Sequence, residues 1–314
     1  MNVSSNCSIR SPELYHRVCL FELALYKVLF FIGALFNVLA LWVLFCKIKE
    51  WTETRVYVIN LVFADCFAIC TLPFRAYLLW NKSARDVLCQ FTETTYFINM
   101  SVSTYIITFI STDRYIAIKH PLKARAFRSP SKAALLCGLL WVSGIIGATA
   151  QIRQSQSTLC FQKDTTVPAA LSLLSMFFIF ILPLATLTFC STEAIRSLKR
   201  CLNTNSPEEK LSWKPIQKAV HILYANLIVF LVCFLPVFFG LLARFVTDSI
   251  GAICFMLHVM KNISPMTRCV ATSNCCLDSV CHYFVTKEFH EALLPSKTSS
   301  EKTDQLHPLQ THTC

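Results

Sequence analysis

The sequence predicts an all-α membrane protein, a bundle of seven spanning helices followed by a short amphipathic eighth helix. Three observations carry that expectation: the apolarity of the whole chain, seven apolar runs of bilayer-crossing length, and a lopsided distribution of basic residues among the connectors. Of the 314 residues, 54% are hydrophobic and 15% charged, and the mean hydropathy is +0.52. A water-soluble domain carries about 25% charged residues, so this chain has too little polar surface to cover itself in water. The bilayer is the natural alternative solvent. The formal charge of +11 is spread through short connectors and not gathered into a patch, so no nucleic-acid partner is expected. No early segment joins a charged start, an apolar middle and a small-residue cleavage site, so the first apolar helix is expected to do its own targeting.

Crossing the hydrocarbon core takes roughly 20 mostly apolar residues in a helix. Seven runs meet that need, at about 20–46, 55–80, 88–118, 132–152, 168–196, 215–246 and 258–285. The connectors are too short for a separate soluble domain, so 20–286 reads as one membrane domain behind an N-terminal segment, 1–19. Loops 47–55, 119–132 and 196–218 together with the C-terminal tail hold 17 basic residues, and the opposite side holds 8. The richer side should be cytoplasmic, which puts the N-terminus outside. The glycosylation signals at Asn2, Asn6 and Asn81 fall on that outer side, and one at Asn262 sits at the outer edge of the last helix. Asn99-Met-Ser lies inside the third span and reads as a chance match.

Most of the 17 cysteines, Cys66, Cys70, Cys137, Cys190, Cys233, Cys275 and Cys276 among them, lie in apolar stretches, where cysteine behaves as a small hydrophobe. Cys7, Cys19, Cys89, Cys160, Cys254 and Cys269 fall where an oxidising exterior can pair them. Past the last span, residues 287–294 place Phe289, Leu293 and Leu294 near one helical face, the pattern of a short helix lying on the membrane surface. The segment 295–314 is polar and rich in Ser and Thr, which predicts a disordered cytoplasmic tail. Its hydroxyls suit phosphorylation or simple solvation.

Asn37, Asp65, Ser103, Asn274 and Asp278 sit near mid-membrane on spans one, two, three and seven. A charge there costs at least about 2.5 kcal/mol on insertion scales, so each asks for a reason. One reason is a hydrogen-bonded network that joins helices; the sharper one is a set of oxygen ligands around a cation such as sodium. Both require these residues to face one another inside the bundle. Asp113-Arg114-Tyr115 closes the inner end of span three.

That triplet gains meaning from its company. Asn60-Leu-Val-Phe-Ala-Asp65, Asp113-Arg-Tyr115, Trp141, Pro183 and Cys233-Phe-Leu-Pro236 occur in order on spans two to six, with Cys89 opening span three and Cys160 in the next outer loop. Together they resemble the rhodopsin-like G-protein-coupled receptors over about residues 20–294. Trp51-Thr-Glu-Thr-Arg55, Leu88-Cys-Gln90, Pro121-Leu-Lys-Ala-Arg125, Arg128-Ser-Pro130 and Asn274-Cys-Cys-Leu-Asp278 resemble the kynurenic-acid receptor branch and, more loosely, the lysophosphatidylinositol receptor.

The resemblance implies a plasma-membrane receptor, not an enzyme, with a heterotrimeric G protein of the inhibitory (Gi/o) or G12/13 type as partner. Arrestin and a receptor kinase would act at the tail, and membrane lipid surrounds the bundle. It implies a Cys89–Cys160 disulfide and a second bridge from Cys7 or Cys19 to Cys254. Arg114 would meet the G protein and be held at rest by Asp113. Many relatives also lock this arginine to an acid on span six; Ile216 stands there, so basal activity is expected. Pro236 supplies a hinge, with Phe234 where the family usually has Trp. Span seven departs from the family pattern, reading Asp278-Ser-Val-Cys-His282 and then Tyr283, without the proline.

Five cations lie in or near the outer half of the bundle: Lys27, Arg75, Arg153, Arg244 and Arg268. Lys27 and Arg244 are close enough to an interface to snorkel, and Arg153 suits a helix end. Arg75 and Arg268 are deeper, and Glu93 is a partner for one of them. The surplus is positive, and arginine presents a planar fork that matches carboxylate or phosphate. With Tyr77, Tyr96, Phe97 and Met100 nearby, the expected ligand is a small anion with an apolar body, an aromatic carboxylate or a lysophospholipid. An amine ligand is not expected, because Tyr96 takes the position of its acidic partner in the family. The kynurenic-acid receptor has an arginine where this chain has Met100, so the ligand differs or Arg75 replaces that charge. A transporter of organic anions is the rival reading, and it would call for inverted repeats that the halves do not show.

Overall fold

The computed structural model describes residues 12–46, 51–81, 86–120, 122, 124, 128–154, 160, 169–204, 214–250 and 254–281. The helices are α1 (Pro12–Cys46), α2 (Glu53–Trp80), α3 (Val87–Lys119) and α4 (Pro130–Gln154). Then come α5 (Ala169–Met176, a π-helical turn Phe177–Ile181, and Leu182–Thr204), α6 (Lys214–Ile250) and α7 (Cys254–Thr272), which resumes over 274–281 after a turn at Ser273. The predicted surface helix 287–294, the tail 295–314, Asn2, Asn6, Cys7 and the Cys254, Ile216, Asn262, His282 and Tyr283 side chains lie outside the described residues.

Local sequence sets the helix ends, and it carries them past the predicted membrane boundaries. α1 starts at Pro12 and not near residue 20, because proline suits the first helical turn, Glu13 stands in that turn and pairs with Arg17 one turn on. The Thr52 hydroxyl caps α2 by accepting from the Arg55 amide at 3.3 Å. The Asp86 carboxylate caps α3 through the Cys89 amide at 2.7 Å. Pro130 opens α4. In α5, Pro183 has no N–H to give to the preceding turn. The helix widens just before it, with Leu182 N–H bonded to Phe177 O, and the Tyr105 hydroxyl of α3 donates to the Phe178 carbonyl at 2.8 Å.

Among the described residues, five helices, α1, α2, α4, α5 and α6, are long and apolar enough to cross a membrane by themselves. α3 and α7 fall short. α3 carries Thr, Ser and Asn at many positions, and it packs against α2, α4, α5, α6 and α7. A helix surrounded by protein needs no lipid-facing surface. The opposite holds for Phe31, Trp42, Phe67, Leu135, Ile146 and Phe239, all exposed, which form the apolar outside of the bundle. Its centre is built on Leu61, Val102, Ile106, Leu187, Phe230 and Phe234, which are fully buried.

α1 approaches the bundle most closely at Gly33. A Cβ there would lie 2.9 Å from Ile69 Cδ1 and 3.0 Å from Cys276 Sγ, so the hydrogen of this glycine lets α1 touch α2 and α7 together. Gly33→Val is expected to destabilise the bundle by about 1–3 kcal/mol, visible as a lower melting temperature of detergent-solubilised protein. An unchanged melting temperature would show that the helix contact tolerates the added volume.

Candidate functional site

The mid-membrane polar residues come together as two linked groups. Between α2 and α3, Asn99 Nδ2 donates to Asp65 Oδ1 at 3.0 Å and to Ser103 Oγ at 3.2 Å, and Ser103 Oγ lies 3.5 Å from the same carboxylate. Between α1 and α7, Asn37 Nδ2 donates to the Gly33 and Cys275 carbonyls at 2.9 and 3.0 Å. The Ser279 hydroxyl donates to Asn37 Oδ1 at 2.7 Å. Asn274 Nδ2 reaches Asp278 Oδ2 at 3.1 Å, and Asp278 lies within electrostatic reach of Asp65. All of these side chains are buried. Asn99 was legible only as a glycosylation triplet inside a span; its spacing from Ser103, one helical turn, was the signal of its role.

In the outer half, Cys89 and Cys160 form a disulfide with Cα atoms 5.7 Å apart, which ties the loop after α4 to the top of α3. Their sulfurs lie near Glu93, but a disulfide leaves no thiolate to bind a metal. Arg75 is 4% exposed. Its Nη1 donates to Thr272 Oγ1 at 3.2 Å and its Nη2 to the Tyr26 hydroxyl at 3.0 Å. Its guanidinium carbon lies 4.8 Å from the Tyr26 ring centre and 5.2 Å from that of Tyr96. Tyr96 stacks edge-to-face on Phe97 with ring centres 5.4 Å apart, above buried Met100.

The Tyr96 hydroxyl is buried without a hydrogen-bond partner, and the charges of Arg268 and Arg75 both reach it. Glu93 is buried, Arg244 and Arg268 are half-buried, and Arg153 is exposed in the last turn of α4. Tyr77 does not join this group. It is 60% exposed, because two residues along a helix turn it about 200° from Arg75. The residue missing from the sequence reading is Glu22, which lies inside α1 and is buried; its Oε1 accepts from the Cys269 thiol at 3.7 Å. An acid within the first apolar run was the available signal.

At the inner face, Asp113 does not hold Arg114. The Arg128 guanidinium takes both Asp113 oxygens, through Nε at 3.1 Å and Nη2 at 3.0 Å, and lies 2.7 Å from Glu53 Oε1. Arg114 Nη2 donates instead to the Thr54 hydroxyl at 2.8 Å. Adjacent helical residues point about 100° apart, so Asp113 faces the start of α4 while Arg114 faces α2. Tyr115 lies against Phe189 with ring centres 5.5 Å apart. Lys119 bridges to Glu193 at 2.8 Å, and that hydrogen bond holds its ammonium above the ordinary range. Trp141 Nε1 donates to Asn60 Oδ1 at 3.2 Å, fixing α4 to α2. On α6, Phe234 is buried against Phe230 two residues below Pro236. The neighbouring Cys233 thiol is 3.7 Å from Ser273 Oγ at the break in α7.

A seven-helix bundle with a disulfide at one end, a polar centre and a partly buried Asp-Arg-Tyr at the other end defines a membrane receptor. The profile of the 7 transmembrane receptor (rhodopsin family) matches residues 36–281, and the chain belongs to that family. It is 37% identical over 287 residues to G-protein coupled receptor 35 of Homo sapiens, covering 89% of each chain. It is 31% identical to lysophosphatidic acid receptor 6 of Gallus gallus, over 97% of this chain and 99% of that one. It is 30% identical to G-protein coupled receptor 55 of Mus musculus, over 95% and 94%. The protein is thus a multi-pass plasma-membrane receptor that acts through G proteins, and it is not an enzyme; the transporter reading finds no support among these relatives.

Removing Asn99 strips Asp65 of its amide donor. Asn99→Ala is expected to cost about 1–3 kcal/mol of stability, read as a fall in the melting temperature of the solubilised receptor. A neutral outcome would mean that water takes over the bond.

Proposed function

We propose that this receptor binds a small anion with an apolar body at its outer half, an aromatic carboxylate such as a kynurenate-like acid or a lysophospholipid. The observation that carries this reading is the Tyr96 hydroxyl, buried without a partner, with the Arg75 guanidinium against its ring and the charge of Arg268 in reach. A donor in that position invites an acceptor, and the surrounding cations ask that the acceptor be negative. Phe97 and Met100 supply the apolar floor. The lysophospholipid half of the reading is further supported by the name of the Gallus gallus relative, a lysophosphatidic acid receptor. Arg268 and Arg244 form the basic lining, Arg75 stands behind it against the Tyr96 ring, Glu93 balances part of the charge, and Arg153 stands at the mouth.

Ligand binding favours the bundle state in which α6 swings outward at Pro236, past Phe234, and opens a crevice at Arg114 and Tyr115. The ligand shifts that equilibrium only by its differential affinity for the two states. The N-terminus lies outside the cell, carrying glycans at Asn2, Asn6 and Asn81, and a Cys7–Cys254 bridge tethers it to the third outer loop. The inner face takes a G protein of the Gi/o or G12/13 type, and the tail takes a receptor kinase and arrestin. The absence of an acid at position 216, together with the diversion of Asp113 to Arg128, leaves Arg114 weakly restrained. This favours basal signalling.

The polar centre fits a sodium ion in one respect. Asp65 Oδ2 is buried without a hydrogen-bond partner, beside Ser103 and within electrostatic reach of Asp278. Asp65, Ser103 and Asp278 would hold the ion, with Asn274 and Asn37 behind them. A bound sodium supplies the positive charge that the two buried carboxylates require.

Two measurements test these readings. G-protein dissociation in cells, across Gα subtypes, is expected to show a ligand-free signal that rises with acidic ligands from a panel of aromatic carboxylates and lysophospholipids. Arg268→Gln, at matched surface expression, should lower potency about tenfold or more; a panel without any response would refute the anion pocket. Separately, replacing potassium by sodium at constant ionic strength should raise the melting temperature of the wild-type receptor but not of Asp65→Asn. An equal response of both would remove the ion from the polar centre.

A further inference from the structure

We infer that Glu22 is a positioning residue of the outer pocket: with Tyr26, Cys269 and Thr272 it holds Arg75 as a structural cation, so that Arg268 and not Arg75 meets the anion of the ligand. The inference rests on the anion-receptor reading above and divides the labour between its arginines.

Glu22 and Tyr26 are one turn apart on α1, on the face turned into the bundle, and Cys269 and Thr272 are one turn apart on α7. Two of them, Tyr26 and Thr272, meet Arg75 of α2 from two directions, and the other two, Glu22 and Cys269, pair with each other. The Tyr26 hydroxyl and the Thr272 hydroxyl each accept from one terminal nitrogen of the guanidinium. The Cys269 thiol donates to Glu22, which places the carboxylate on the same side. The charge of Glu22 reaches both Tyr26 and Arg75. Two aromatic rings, Tyr26 and Tyr96, lie against the guanidinium carbon. Glu22 and Arg75 are 6% and 4% exposed, so neither charge is supported by water. A ligand that drew Arg75 to itself would have to break these contacts and leave Glu22 buried without its counter-charge, a costly exchange. Arg268 is only half-buried, one turn before Thr272 on α7, and its charge reaches the Tyr96 hydroxyl.

This arrangement also gives α1 a task. The first helix contributes no residue to the expected ligand contacts, yet its buried acid fixes the cation beside Tyr96. Arg75 then acts on the ligand through the ring it supports, as a positioning residue.

The test is a double-mutant cycle. Wild type, Glu22→Gln, Arg75→Gln, the Glu22→Gln/Arg75→Gln pair, Arg268→Gln and Glu22→Gln/Arg268→Gln are compared. Readouts are surface expression, melting temperature after solubilisation, and G-protein dissociation by kynurenic acid and by a monoacyl lysophosphatidate. Arg75→Gln alone should lose about tenfold or more of folded receptor, because it strands a buried carboxylate. The Glu22/Arg75 pair should regain wild-type stability and lose acid potency by only about threefold, the part owed to the support of Tyr96, far less than Arg268→Gln. Arg268→Gln should fold and lose about tenfold or more of potency, a loss that Glu22→Gln does not repair. A pair that is stable yet as deaf to both acids as Arg268→Gln would overturn the inference and make Arg75 a ligand contact. A pair as unstable as Arg75→Gln would show that Glu22 does not hold Arg75. Should the wild type answer neither acid, the anion reading fails, and the melting temperatures alone decide the clamp: rescue supports it and additive losses refute it.

Discussion

A guanidinium buried in the outer half of a membrane bundle must be met by protein on every side, because lipid offers nothing to its donors. Arg75 is met by two hydroxyls and two aromatic rings, drawn from α1, α3 and α7. That single requirement fixes much else. It sets the rotation of α1, whose Tyr26 must face inward, and with it the position of Glu22 above and of Gly33 and Asn37 below on the same helix. It also sets α7, whose Thr272 stands one residue before the break at Ser273. Deeper in the membrane Asp65 poses the same problem with the opposite sign, and Asn99 and Ser103 answer it from α3. The helices of this protein are joined mainly where one of them carries a group that lipid would reject.

The inner face follows different physics. Water and lipid headgroups lie close, so Asp113, Arg128 and Glu53 form a half-exposed ionic group that ties the starts of α2 and α4 to the end of α3. Such pairs contribute little to stability by themselves. Their weight here is geometric: Arg128 occupies both oxygens of Asp113, so the neighbouring Arg114 is restrained by one neutral hydroxyl. A residue held this lightly needs little free energy to reorient, which suits a face that must exchange partners during signalling.

Much of the fold was legible because the bilayer imposes a length and a polarity on every segment that crosses it. The seven runs and the polar centre both follow from that solvent. Span ends were less legible: α1 begins at Pro12 and α6 runs on to Ile250, since a helix stops at a cap or a turn signal and not at a membrane boundary. The candidate site was legible in its charged members, where an arginine inside an apolar run is conspicuous. Asn99 and Glu22 escaped notice, the first behind an incidental glycosylation triplet and the second within a run read for its apolar average.

What the sequence determined by itself is the set of groups that cannot face lipid, and therefore the fold class, the inward faces of the helices and the family of receptors to which the chain belongs. Pairing was decided only by the tertiary structure. Asp113 has an arginine beside it in the chain and takes another from fifteen residues away, and Arg75 finds its partners on α1 and α7 and not on its neighbour α3 alone. The reason is angular. Each residue along a helix turns about 100°, so neighbours in sequence look toward different helices. Which helix stands in that direction is a property of the packed bundle.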